Sequence, residues 1–121
     1  MKLFIYGTLK RQQSRAGALD GQRFIGEAKT LARYRLFDTG SYPVLVGCHE
    51  VEDGGLEIEG ELWHVDADCL ARLDEIECVP ELFRRQPVML SLPAGYDDVE
   101  TYIYQRSVMG LRDCGARWPA S

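Results

Sequence analysis

Residues 56–80 read LEIEGELWHVDADCLARLDEIECVP, and this stretch changes its hydrophobic period half-way along. From Leu56 to Val65 the apolar residues alternate: Leu56, Ile58, Gly60 and Leu62 share one face, and Glu57, Glu59, Glu61 and Trp63 share the other. Period-two alternation is the mark of a half-buried strand, here with its acidic residues expected to face outward. Asp66 then offers an N-cap and Asp68 suits a first helical turn, while Cys69, Leu70, Leu73 and Ile76 form a stripe at helical spacing. Pro80 forbids continuation. The spacing therefore predicts a strand followed by a helix over about 67–77.

Upstream, Lys2–Tyr6 is a continuous apolar strand that stops at Gly7, and a weak helical pattern over 12–19 ends at the turn dipeptide Asp20-Gly21. The strand formers between Phe24 and Leu36 predict two short strands with a bend, followed by a loop at Asp38–Ser41, a buried strand at Val44–Val46 and a polar turn over Glu50–Gly55. Downstream, two more strands are expected, Phe83–Leu90 and Val99–Arg106, divided by Pro93-Ala94-Gly95. Strands, one late helix, then strands imply an α+β class: a compact, largely antiparallel, β-barrel-like sheet with one main helix. One domain over 1–121 is expected, with an irregular tail from about residue 107 anchored by Val108, Met109, Leu111 and Trp118.

The chain has 121 residues, 45% hydrophobic and 27% charged, with 19 acidic against 14 basic residues and a net charge of −5. The basic residues are scattered, so nucleic acid is not an expected partner. No apolar run approaches the ~20 residues of a membrane-spanning helix, and the apolar Leu3–Tyr6 is too short for a secretory signal core. A cytoplasmic protein without membrane partners is expected. Cys48, Cys69, Cys78 and Cys114 form no C-x-x-C pair; buried or idle thiols are expected, without metal.

Two places carry chemistry. With Leu70 at zero on a helical wheel, Leu73 falls at about −60° and Glu77 at about −20°. Glu77 thus projects from the apolar face at the negative end of the helix dipole. Burial and dipole both oppose its ionised form, which suits a general acid/base working near neutral pH. The plainer reading is a structural ion pair with Arg84 or Arg85; Asp74 reads as a local hydrogen-bond acceptor. The second place is the strand end, where the amides of Gly7, Thr8 and Leu9 can form an anion-binding concavity.

Tyr6-Gly7-Thr8-Leu9-Lys10, Ile58-Glu59-Gly60-Glu61-Leu62-Trp63, Leu73-Asp74-Glu75-Ile76-Glu77 and Leu82-Phe83-Arg84-Arg85 occur in this order. Together they resemble the γ-glutamylcyclotransferase-like (AIG2-like) family, and within it the γ-glutamylamine cyclotransferases most of all. The resemblance implies a barrel-like α/β domain and a small γ-glutamyl substrate. It also implies cofactor-independent release of 5-oxoproline and an amine, with Glu77 catalytic and Tyr6, Gly7, Thr8, Leu9 and Tyr104 binding substrate. Departures occur at Lys10-Arg11-Gln12, which lacks a following Gly, at Cys78 in place of Gly or Ser, and at Phe83 in place of Tyr. Two other readings compete: a non-catalytic module of the same fold that holds a small carboxylate or serves protein regulation, and a Cys78 nucleophile with His49 or His64 as its base. A buried carboxylate gives nothing to a pure anion binder, and His64 reads as a packed strand residue.

Overall fold

The computed structural model describes residues 1–47 and 54–119. Among the described residues nine strands form two sheets and one α-helix packs beside them, with β1 (Lys2–Ile5) inside the larger sheet. The others are β2 (Arg23–Thr30), β3 (Tyr34–Asp38), β4 (Pro43–Gly47), β5 (Glu59–His64), β6 (Phe83–Pro87), β7 (Leu90–Leu92), β8 (Val99–Tyr104) and β9 (Arg112–Gly115), with α1 (Ala67–Ile76) between β5 and β6. The six-stranded sheet runs β6-β8-β1-β5-β2-β7, antiparallel except for the β1–β8 pair; the second is β4-β3-β9.

The continuous apolar run at the N-terminus has its explanation in this order. β1 is flanked by strands on both edges and covered on both faces: Leu3 and Ile5 face a core that includes Cys69 and Leu73 of α1, while Phe4 faces one that includes Leu36, Leu45 and Leu62. Beside it β5 carries Gly60, where a Cβ would lie 2.3 Å from the Ile5 carbonyl oxygen and 2.7 Å from the Phe4 ring, so no larger residue fits.

The sheet is a half-barrel whose two outer strands are consecutive in the chain. From Pro87 in β6 to Leu90 in β7 is three steps, which span at most about 11 Å. Val88 N–H bonds to Val99 and Leu31 N–H to the Met89 carbonyl, so this crossing ties one sheet edge to the other. The strand expected over Phe83–Leu90 is therefore two pieces, β6 on β8 and β7 on β2.

Other expectations need correction. The outer face of β5 is not solvated, because Glu61 is only 5% exposed and Trp63 is buried beside it. His64 is exposed, not packed. The weak helix over 12–19 is a single 3₁₀ turn, Ala16–Leu19. The tail carries a regular strand: β9 pairs with β3, Ala116 accepts from Glu59 N–H, and the Trp118 carbonyl accepts from Lys10 Nζ. Met109, expected to be an anchor, lies 90% exposed. Most of the expected Glu50–Gly55 turn, with Cys48 and His49, lies outside the described residues. Among the described residues no helix is long and apolar enough to cross a membrane.

Candidate active site

A cavity of about 150 Å³ opens where the C-terminal ends of β1 and α1 converge. Its wall comprises Tyr6–Leu9, the Tyr42-Pro43 corner leading into β4, Ile76–Cys78, and Phe83 and Tyr102 from β6 and β8. Glu77 and the Gly7–Leu9 turn, nearly seventy positions apart in sequence, thus face one space.

The turn is shaped by close contact. A Cβ on Gly7 would come within 2.8 Å of Pro43 Cγ, so glycine lets β4 approach the turn. Lys10 N–H closes the turn onto the Gly7 carbonyl, and Arg15 N–H reaches the Thr8 carbonyl. The N–H groups of Gly7, Thr8 and Leu9 have no protein acceptor among the described residues. They are three neighbouring donors beside the cavity, a concavity suited to a carboxylate or an oxyanion.

From below, Glu61 staples this loop to the sheet. Its buried carboxylate accepts from Arg11 N–H (3.1 Å), Arg11 Nε (3.1 Å) and Trp63 Nε1 (3.1 Å). The Arg11 guanidinium lies 3.8 Å from the centre of the Phe24 ring and bonds Glu27 as well.

Opposite the turn, α1 begins at Asp66, whose side chain accepts from Cys69 N–H (2.8 Å), and ends at Glu77, whose N–H bonds to Leu73. The carboxyl is largely buried and makes no ion pair among the described residues. Burial raises its pKa from 4.5 to about 7, the Arg15 charge opposing this in part. The structural-pair reading fails because the arginines are engaged elsewhere. Arg85 binds Asp74 (2.9 Å) and Glu100 (2.7 Å), and Arg84 Nε points to the Pro80 carbonyl. Asp74 is the acceptor expected of it, taking a bond from Tyr102 Oη at 2.8 Å as well.

Tyrosines complete the wall. Tyr6 Oη donates to the Tyr102 carbonyl at 2.7 Å, and burial, with the Glu77 charge adding to it, holds the Tyr6 hydroxyl well above its usual pKa. It remains a neutral donor near the carboxyl. Tyr104 does not reach the cavity: two residues further along β8, about 7 Å, its ring packs on Phe83 (5.4 Å between centres). Tyr102 occupies the wall instead. Arg15, Tyr42 and Tyr102 were not singled out by sequence reasoning. The first two sit in loops without periodic signal, and Tyr102 differs from Tyr104 only by where β8 ends.

Cys78 follows the helix with φ +53°, a left-handed cap conformation that favours glycine. It is an exposed free thiol, and His64 is not on the cavity wall.

The sequence pattern of the family "Gamma-glutamyl cyclotransferase, AIG2-like" matches residues 3–119.

The chain belongs to this family.

Among its relatives, a Vibrio cholerae protein provisionally named a γ-glutamylcyclotransferase is 33% identical over 105 residues, covering 87% of this chain and 83% of its own. Gamma-glutamylaminecyclotransferase A of Danio rerio is 30% identical, covering 88% and 70%. The solution structure of the Escherichia coli protein ytfP superposes with a TM-score of 0.73 at 27% identity, covering 98% and 96%. The γ-glutamylcyclotransferase-like fold is thereby shown, and the family match takes in the tail with its β9 strand.

Proposed function

We propose that the chain is a γ-glutamyl cyclotransferase with Glu77 as its acid/base, releasing 5-oxoproline and an amine or amino acid from a γ-glutamyl compound. The observation that carries this is the largely buried carboxyl of Glu77, without an ion-pair partner among the described residues and with a pKa near 7, on the same cavity as the free amides of Gly7, Thr8 and Leu9.

In the reaction Glu77 takes a proton from the substrate's α-ammonium, and the freed amine attacks its own γ-carbonyl carbon. A new C–N bond closes the five-membered ring, and the C–N bond to the leaving group breaks. Of the three ammonium protons, one stays on the lactam nitrogen and two end on the departing nitrogen, which leaves as an ammonium. Glu77 can carry both. The turn amides stabilise the oxyanion of the tetrahedral intermediate or hold the substrate α-carboxylate in this reading. Ring closure is intramolecular, so holding the γ-glutamyl arm folded contributes as much as the proton transfers. The chemistry has no step that calls for a cofactor.

The test is 5-oxoproline release from γ-glutamyl amino acids and γ-glutamyl amines by the purified protein. Turnover of at least one of them is expected. A folded protein that binds such compounds yet releases no 5-oxoproline supports the non-catalytic module instead.

A further inference from the structure

Among the described residues one cation, Arg15, stands on the cavity wall, and nothing in the proposed chemistry uses it. Its side chain makes no hydrogen bond or ion pair among the described residues, unlike Arg11, Arg35 and Arg85, which each hold a carboxylate. Arg15 also lines a second depression outside the cavity mouth, with Ser14, Gly17, Ala18 and Ile76. Arg15 and Ile76 line both, so the two spaces adjoin at these side chains.

The inner cavity holds the turn amides and Glu77 together, so the γ-glutamyl arm that reacts with them is the part of the substrate that enters it. The leaving group must extend toward the mouth. There it meets small residues, an apolar side chain and an unpartnered guanidinium whose planar fork matches a carboxylate. The inner amides already provide for one anion.

Building on the cyclotransferase reading, we infer that the recess of Ser14, Arg15, Gly17, Ala18 and Ile76 is the leaving-group subsite, and that Arg15 grips a carboxylate adjacent to the scissile nitrogen. The substrates are then γ-glutamyl α-amino acids, not γ-glutamyl amines that lack that carboxylate. Arg15 is a specificity residue. Arg15 and Glu77 line the same cavity, which puts the guanidinium on the side of the reacting bond.

The experiment measures kcat/KM for γ-glutamyl-L-alanine, γ-glutamyl-ethylamide and ε-(γ-glutamyl)-L-lysine, with wild type, Arg15→Gln and Arg15→Lys, each checked by a melting curve. Wild type is expected to favour γ-glutamyl-L-alanine over the ethylamide by roughly 10–100-fold, the range for a hydrogen bond between charged groups. The ε-linked lysine, with its carboxylate several bonds further away, should behave like the ethylamide. Arg15→Gln should collapse the ratio toward one, mainly through KM for the alanine compound, and Arg15→Lys should restore part of it. Any general effect of Arg15 on Glu77 cancels in the ratio. Equal wild-type efficiency on alanine and ethylamide compounds, or a ratio that survives Arg15→Gln, overturns the assignment while leaving the cyclotransferase reading intact. No 5-oxoproline from any of the three overturns both.

Discussion

At Glu77 a single ionisation links stability to the proposed chemistry. In the unfolded chain the carboxyl ionises above about 4.5, in the folded chain only above about 7, so between these values the folded state holds the extra proton. The stabilisation is complete below the lower value and lost as pH rises through the upper one, a difference on the order of 3 kcal/mol at most. The melting temperature of Glu77→Gln relative to wild type should therefore climb between pH 4.5 and 7 and level off above; a constant offset contradicts a raised pKa. Since a general base must be ionised, kcat/KM should rise with pH along a limb centred near 7. Next to it, Cys78 holds a left-handed backbone at φ +53°. For a residue with a side chain that conformation costs roughly 1–2 kcal/mol, only partly offset by the extra flexibility glycine gives the unfolded chain. Cys78→Gly should raise stability by about 0.5–1 kcal/mol in denaturant titration, and a loss would show that the Cys78 side chain contributes packing instead.

Among the elements, α1 was the most legible: cap, stripe and terminating proline act within the fifteen residues Asp66–Pro80, and their periodicity placed Glu77 on the apolar face. β1 was legible because burial on both faces demands an unbroken apolar run. β9, Arg112-Asp113-Cys114-Gly115, was not, since backbone pairing to β3 holds it and it carries no alternation to read. The split of β6 from β7 was hidden because a strand continuing and a strand crossing to the far sheet edge use the same side chains. On β5 the alternation was read correctly but its meaning was not: Glu61 lies on the face assigned to solvent, which the loop after β1 covers. Loss of that staple should be felt at the site. Glu61→Gln keeps the shape but weakens acceptance from Arg11 and Trp63, so a destabilisation of about 1–3 kcal/mol is expected, with KM raised through the loosened turn. Unchanged stability and KM would mean that the turn holds itself.

For the whole molecule, the half-barrel brings together loops that share no local pattern. Glu77 and the Gly7–Leu9 turn could each be picked out alone, but their meeting, and the arrival of Arg15, Tyr42 and Tyr102 at the same cavity, depends on strand order and on where each strand ends. Sequence rules constrain neighbours along the chain far more tightly than neighbours across a curled sheet. The proposed turnover depends most on Glu77 carrying the proton at that meeting point. Its most direct test is 5-oxoproline formation by Glu77→Gln beside wild type at pH 8, with melting curves and binding of 5-oxoproline for both. Gln keeps the size and much of the hydrogen bonding of Glu but cannot accept the proton, so turnover should fall toward the upper end of the ~10²–10⁴-fold range of a positioned acid/base while folding and binding persist. A folded mutant that binds 5-oxoproline and turns over within about threefold of wild type, far short of that range, would contradict the account.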